Sequence, residues 1–263
     1  MKRIFKFAIL FLFSSTCSAN VFSIQKPTWF AKFDAGFAWS SNSGISNPDP
    51  SFWDAANQGY DANLGNRSFA SIGLGATLNE YLNLDIDYTR YATFNYQQYQ
   101  TGSSVTPGFS GNARTRFFDL NVQSVLLNLT AHPNPNQFGL HFYNLVIYPF
   151  ASLGAGVGIN RMSNFHTVAY NTVATSGVVS SLGKDTTQNT FAWQGSLGLT
   201  FAPVQSYLAA DIGYRYYDGG DFQSPNQIMA NSPFEAGTLI SAPRWQGKLK
   251  TNQIFLVIRF LAT

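Results

Sequence analysis

The feature that most constrains this chain is an alternation of apolar and polar residues with period two, repeated in eight separate segments. In WFAKFDAGFAW, Trp29, Ala31, Phe33, Ala35, Phe37 and Trp39 share one face, while Lys32, Asp34, Gly36 and Ala38 fall on the other. The second segment sets Ile72 and Leu74 against Ser71, Gly73 and Gly75; the third sets Leu84, Ile86 and Tyr88 against Asp85, Asp87 and Tyr91. The fourth sets Phe118, Leu120 and Val122 against Asp119, Asn121 and Gln123, and its tail, Val125 to Leu129, breaks phase as a bulge would. The remaining four run over about 147–159, 191–201, 208–216 and 250–262. Side chains alternate across a strand, so one face of every segment is greasy and the other carries the charge.

The connections sort by length. Stretches at about 41–66, 95–112, 161–189 and 218–247 are long and polar, whereas 79–81, the Pro-rich 132–139 and the joint before Leu208 are short. Long on one side and short on the other is the asymmetry of a membrane barrel, with external loops and periplasmic turns. The predicted fold is therefore an all-β transmembrane up-and-down antiparallel β-barrel of eight strands. A soluble lipocalin-like barrel would invert the pattern, greasy within and polar without. A helical membrane protein is excluded, because no stretch after the first thirteen residues is long and apolar enough to span as a helix.

The N-terminus reads as an export signal over residues 1–19, with a basic start (Lys2, Arg3, Lys6), the apolar run FAILFLF and small residues up to Ala19. The barrel is expected to occupy 20–263. Without those three cations, the 16 Lys and Arg fall to 13, equal to the 13 Asp and Glu, so no basic footprint for nucleic acid remains. The single cysteine, Cys17, lies within the signal, so the mature chain is expected to carry no disulfide.

YPFASLGAGVGIN (148–160), FAWQGSLGLTF (191–201), AADIGYRYYDGGDF (209–222) and TNQIFLVIRF (251–260) resemble the small eight-stranded outer-membrane barrels of Gram-negative bacteria, the OmpA-like and opacity-like, porin-like family. The resemblance implies residence in the outer membrane, contact with its lipid and lipopolysaccharide, and insertion by the outer-membrane assembly machinery. Such barrels usually end on an aromatic residue, whereas here Leu261-Ala262-Thr263 follow Phe260. The expected function is non-enzymatic: a structural and surface-interaction role, in adhesion or contact with host or surface ligands, through four long loops. The alternative is a conduit for small, hydrophobic solutes; a further one is an enzyme that modifies outer-leaflet lipid.

Candidate site residues follow from parity. Lys32, Asp34, Asp85, Asp87, Asp119, Asp211, Arg215 and Arg259 fall on inner faces. They are expected to pair inside a barrel too narrow for an open channel, with Asp34 beside Arg259. Arg90, Arg114 and Arg116 fall on outward faces at the loop end, where guanidinium forks suit lipopolysaccharide phosphates; the plainer reading has them snorkel or pair with loop carboxylates. His166, near Ser163 and Asp185, carries the enzyme alternative, while Gly108-Phe109-Ser110-Gly111 falls one residue short of a nucleophile elbow. Asp218-Gly219-Gly220-Asp221 reads as a solvated turn rather than a cation site, and Gly154, Gly156 and Gly158 as space for aromatics opposite. No cofactor or metal is expected.

Overall fold

The computed structural model describes residues 28–41, 43–47, 63–100, 113–170, 178–204, 206–230 and 237–262. The expected signal over 1–19 and the Gly108–Gly111 motif lie outside them. The elements in chain order are β1 (Thr28–Ser40), β2 (Asn66–Asn79), β3 (Leu82–Tyr91), β4 (Phe94–Gln100), β5 (Ala113–Ala131), the helical turn α1 (Pro135–Phe138) and β6 (Leu140–Phe142). They continue with β7 (Leu145–Tyr170), β8 (Val178–Gly183), β9 (Thr186–Pro203), β10 (Leu208–Gln223), β11 (Gln227–Ala230), β12 (Thr238–Ser241) and β13 (Gln246–Leu261).

Eight of these strands pair antiparallel in a ring, β1–β2–β3–β5–β7–β9–β10–β13, and β13 pairs back to β1 from Phe30↔Leu261 to Ser40↔Thr251. Each has two hydrogen-bonded neighbours, so no edge is left in the wall, which is what a sheet needs in order to cross lipid. The outer wall is apolar where the alternation places it: Phe37 (70% exposed), Leu74 (64%), Leu197 (62%) and Ile254 (54%) all point away from the lumen. Their inward neighbours, such as Asp34, Ser71 and Gln253, are buried.

The fourth segment departs from expectation. Phe118, Leu120 and Val122 are buried in the lumen, and Asp119, Asn121 and Gln123 lie on the outside. The outward face of β5 is the odd one, Val125, Leu127 and Leu129, and it runs unbroken. The register of β5 against β3 and β7 is continuous through 123–131, and its irregularity falls between Phe117 and Asp119 instead. The reason is that the outer half of the lumen is itself apolar. Phe94, Phe118, Tyr217, Phe222 and Leu249 fill it, so hydrophobicity there no longer separates lumen from lipid.

Among the described residues, three of the four stretches read as loops carry strands. β4, the upper ends of β5 and β7, β8, β11 and β12 continue the sheet beyond the belt, in the order β12–β11–β8–β7–β5–β4. On the opposite rim the β2–β3 turn is closed by the Asn79 side chain accepting from Tyr81 N–H at 2.8 Å.

Candidate functional site

The lumen has two halves of different chemistry. In the periplasmic half, Lys32 of β1 lies opposite Gly73 of β2, and Gly73 lies opposite Asp87 of β3. A Cβ at Gly73 would stand 2.8 Å from Lys32 Cε, so the missing side chain gives the amine its path across β2. Lys32 Nζ donates to Asp85 Oδ2 and, at 2.9 Å, to Asp87 Oδ2. Asn128 Nδ2 donates to the same two oxygens at 2.9 and 2.8 Å, and Gln194 Nε2 donates to Asn128 Oδ1 at 2.7 Å.

Two further pairs complete this half. Arg215 Nη2 meets Asp34 Oδ2 at 2.6 Å, with its guanidinium 4.4 Å from the centre of the Phe255 ring. Arg259 Nη2 meets Asp211 Oδ1 at 2.8 Å, and Thr200 Oγ1 donates to that same oxygen at 2.7 Å. The expected Asp34–Arg259 pairing is thus corrected. The β1–β13 register sets Lys32 against Arg259 and Asp34 against Val257, which leaves Asp34 to Arg215, one strand further round. Four carboxylates face three cations, and the Asn128 amide supplies donors to the two that share Lys32. The space among these groups is a cavity of ≈ 40 Å³, room for water and not for a solute.

The outer half is packed with rings. Tyr91 stacks on Tyr217 with centroids 5.5 Å apart, Tyr96 on Phe118 at 4.6 Å, and Phe118 leans on Phe222 at 6.0 Å. Gln253 joins the halves by donating to Tyr91 Oη at 2.7 Å. Above the rings Arg116 sits over Trp245 at 4.8 Å and donates to Thr167 Oγ1 at 3.2 Å. Burial, and after it the neighbouring charge of Arg114, pulls this guanidinium down to about 9.

The structure therefore disperses the outward arginines. Arg90 is exposed on the outer wall, Arg114 is half-buried, and Arg116 points inward because it shares the parity of Phe118. Arg90 lies opposite Gln123 on β5, seven residues or roughly 20 Å of strand from Arg116, so the three do not converge on one head group. Asp119 does not join the interior network. Its carboxylate accepts from Asn95 at 2.6 Å and from Asn164 at 3.1 Å on the outer wall.

The other sequence candidates resolve locally. His166 stacks on Phe117 with centroids 4.7 Å apart, and its Nδ1 faces the Asn164 carbonyl at 2.8 Å. Asp185 pairs with Arg161 at 2.6 Å, and Ser163 Oγ accepts from Asn121 at 3.1 Å, so the three residues do not form a relay. Asp218 is buried within a bulge: Oδ1 accepts from Gly220 N–H at 3.0 Å, and Oδ2 meets Lys248 at 3.3 Å. Gly154 makes room for the Asn128 amide and the Gln194 Cγ methylene, and Gly156 and Gly158 for the Val125 and Gly219 carbonyls, rather than for aromatics.

Asn128 and Gln194 were absent from the sequence candidates. The signal for Asn128 was its isolation within VLLNLT, at the lumen parity that Val125, Leu127 and Leu129 define.

A row of four apolar side chains and one histidine lies on the outer face above the belt. Phe117, His166, Leu182, Met229 and Leu239 are successive cross-strand partners on β5, β7, β8, β11 and β12, and so share one face. Leu182, Met229 and Leu239 are exposed. Five strands at the usual spacing make a stripe about 19 Å long.

No protein-family model matches the sequence, and no curated protein matches it. Among solved structures the chain is similar to Neisserial surface protein A, at 16% identity over 90% of this chain and 99% of that one, with a TM-score of 0.43. It is similar to the outer membrane protein OprG of Pseudomonas aeruginosa, at 12% identity over 88% and 95%, with a TM-score of 0.41. It is also similar to the outer membrane protease OmpT of Escherichia coli, at 8% identity over 93% and 100%, with a TM-score of 0.39. A surface protein and a protease both figure among them, so these likenesses assign no activity. The closed antiparallel ring, the apolar belt around it and the filled lumen stand on the chain's own pairing and burial. On those grounds the chain is a small eight-stranded antiparallel β-barrel with the apolar belt of a membrane-spanning wall.

Proposed function

We propose that this barrel is a non-enzymatic surface-interaction protein that holds a β-ribbon outside the cell for contact with a protein surface. The observation that carries the reading is the exposed row Leu182–Met229–Leu239, continued by His166 and Phe117. Apolar side chains in line above a membrane belt have no lipid to cover them, and exposed patches of this kind mark interaction sites. The lumen supports the same reading. Among the described residues, its ring-packed outer half and ion-paired inner half leave no path for a solute.

Two measurements test it. The refolded barrel in planar bilayers is expected to show no conductance steps; steady single-channel currents would favour the solute-conduit alternative. Cells displaying the protein are expected to adhere to host-cell or matrix-coated surfaces, and Leu182→Asp with Met229→Asp to remove that adherence while the refolded variant still migrates differently on a gel before and after boiling, as a closed barrel should. Undiminished adherence in the double variant, or none in the wild type, would overturn the proposal.

A further inference from the structure

The two sides of the periplasmic rim differ. The β2–β3 turn carries Glu80, whereas between Asp119 and Arg161 the sequence holds no Asp, Glu, Lys or Arg. That uncharged stretch includes the whole connection from β5 to β7, in which α1 and β6 form a compact unit. Phe138 N–H and Gly139 N–H donate to the Asn134 and Pro135 carbonyls at 3.0 Å each. Asn134 Nδ2 ties the unit to Glu80 Oε2 at 2.5 Å, and Val204 N–H ties it to the Asn144 carbonyl at 2.7 Å.

An element tied down on both sides nevertheless leaves its largest apolar groups uncovered. Phe138, Leu140 and Phe142 are exposed, and Tyr143 is fully so (107%), with its backbone at φ 50°, where bulky residues are seldom found. Leu140 pairs with Ile147 and Phe142 with Leu145, so both share the outward face of β7 and widen its lipid-facing row at the first residues of the strand. Exposed Tyr207, Phe260 and Trp29 continue the surface around the rim.

We propose that residues 133–144 form a foot embedded in the inner leaflet of the membrane, at the boundary between head groups and acyl chains. Continuity with the lipid-facing wall names the occupant, and the aromatic content suits that depth. Because the foot holds no Asp, Glu, Lys or Arg and its one imidazole, His141, is neutral above the imidazole range, its immersion at pH 8 depends neither on anionic lipid nor on salt.

The test uses a nitroxide label on a Cys17→Ser background, with the full chain refolded into dioleoylphosphatidylcholine vesicles with and without phosphatidylglycerol. Phe142→Cys is compared with Leu197→Cys in the belt and Lys184→Cys in water. The label at Phe142 should be shielded from a neutral nickel chelate relative to Lys184 and less accessible to oxygen than Leu197, as the head-group boundary requires, in both lipids and at low and high salt. Should Phe142→Cys fail to refold, Leu140→Cys reports on the same face. Chelate access equal to that at Lys184 would overturn the proposal and leave the face for a periplasmic protein. Shielding that requires phosphatidylglycerol or low salt would overturn it too. Adding Phe142→Asp and Tyr143→Asp to Leu140→Cys should raise chelate access without loss of the gel shift, and unchanged shielding would count against the foot.

Discussion

Arg215→Met should destabilise the barrel far more than Arg215→Met combined with Asp34→Leu. Arg215 and Asp34 are both buried, and their closest atoms are 2.6 Å apart. Asp34 Oδ1 has no hydrogen-bond donor among the described residues, so the carboxylate depends on the guanidinium at Oδ2. Charge centres roughly 4 Å apart attract by about 4 kcal/mol at an effective dielectric constant near 20. That agrees with the roughly 3–5 kcal/mol usually lost when one member of a buried pair is removed. The double variant strands no charge. It loses the contacts of the cation with the Phe255 and Phe69 rings, but the methionine chain can lie between those rings, so a net cost of about 0–2 kcal/mol is expected. Urea titration of the refolded protein in phosphatidylcholine vesicles, followed by tryptophan fluorescence and by gel mobility, would measure both. If Arg215→Met were no worse than the double variant, the stranded-charge argument would fail.

Three further outcomes are expected. Unboiled protein should migrate differently from boiled protein, because a ring with every strand paired on both sides opens to heat rather than to detergent; identical migration would contradict the closed ring. Gly156→Ala, whose Cβ would come within 2.1 Å of the Val125 carbonyl oxygen, should cost about 1–3 kcal/mol, while Gly195→Ala, with nothing nearer than 3.6 Å, should be close to neutral in the same titration. Arg161→Gln, which breaks an exposed pair with Asp185, should shift stability by less than about 1 kcal/mol, and a loss as large as that of Arg215→Met would mean that exposure is a poor guide to these charges.

The sequence made the faces legible wherever lumen and lipid differ in polarity. Phe33 and Phe37 face out and Asp34 faces in, as their alternation says, and the same holds for Ile254 against Gln253. Legibility failed on β5, where Leu120 packs against a lumen as apolar as the lipid, so that only the odd row from Val125 to Leu129 fixes the phase. Pairing was less legible than facing. Parity shows that Asp34 and Arg259 share the lumen, but the stagger between β1 and β13 decides whether they meet, and one pleat of offset gives Asp34 to Arg215. The polar stretches beyond the belt hid strands because ribbons wetted on one face there carry Ser, Thr and Asn, the residues that also mark loops.

The seam between β1 and β13 bears on how such a chain can be made. Eleven residue pairs join the first strand of the ring to the last, and β10, which holds Asp34's partner, is followed only by β13 among the wall strands. Until β13 arrives, β1 and β10 both present bare backbone along their full length, Asp34 lacks its neighbouring wall, and the greasy faces of seven strands have no closed surface to share. A partly synthesised chain therefore has no stable shape that resembles the finished one. Contacts of such long sequence range repay their loop-closure cost only at the end. The topology therefore leaves the greasy faces of the wall strands without a closed surface until β13 is paired to both β10 and β1.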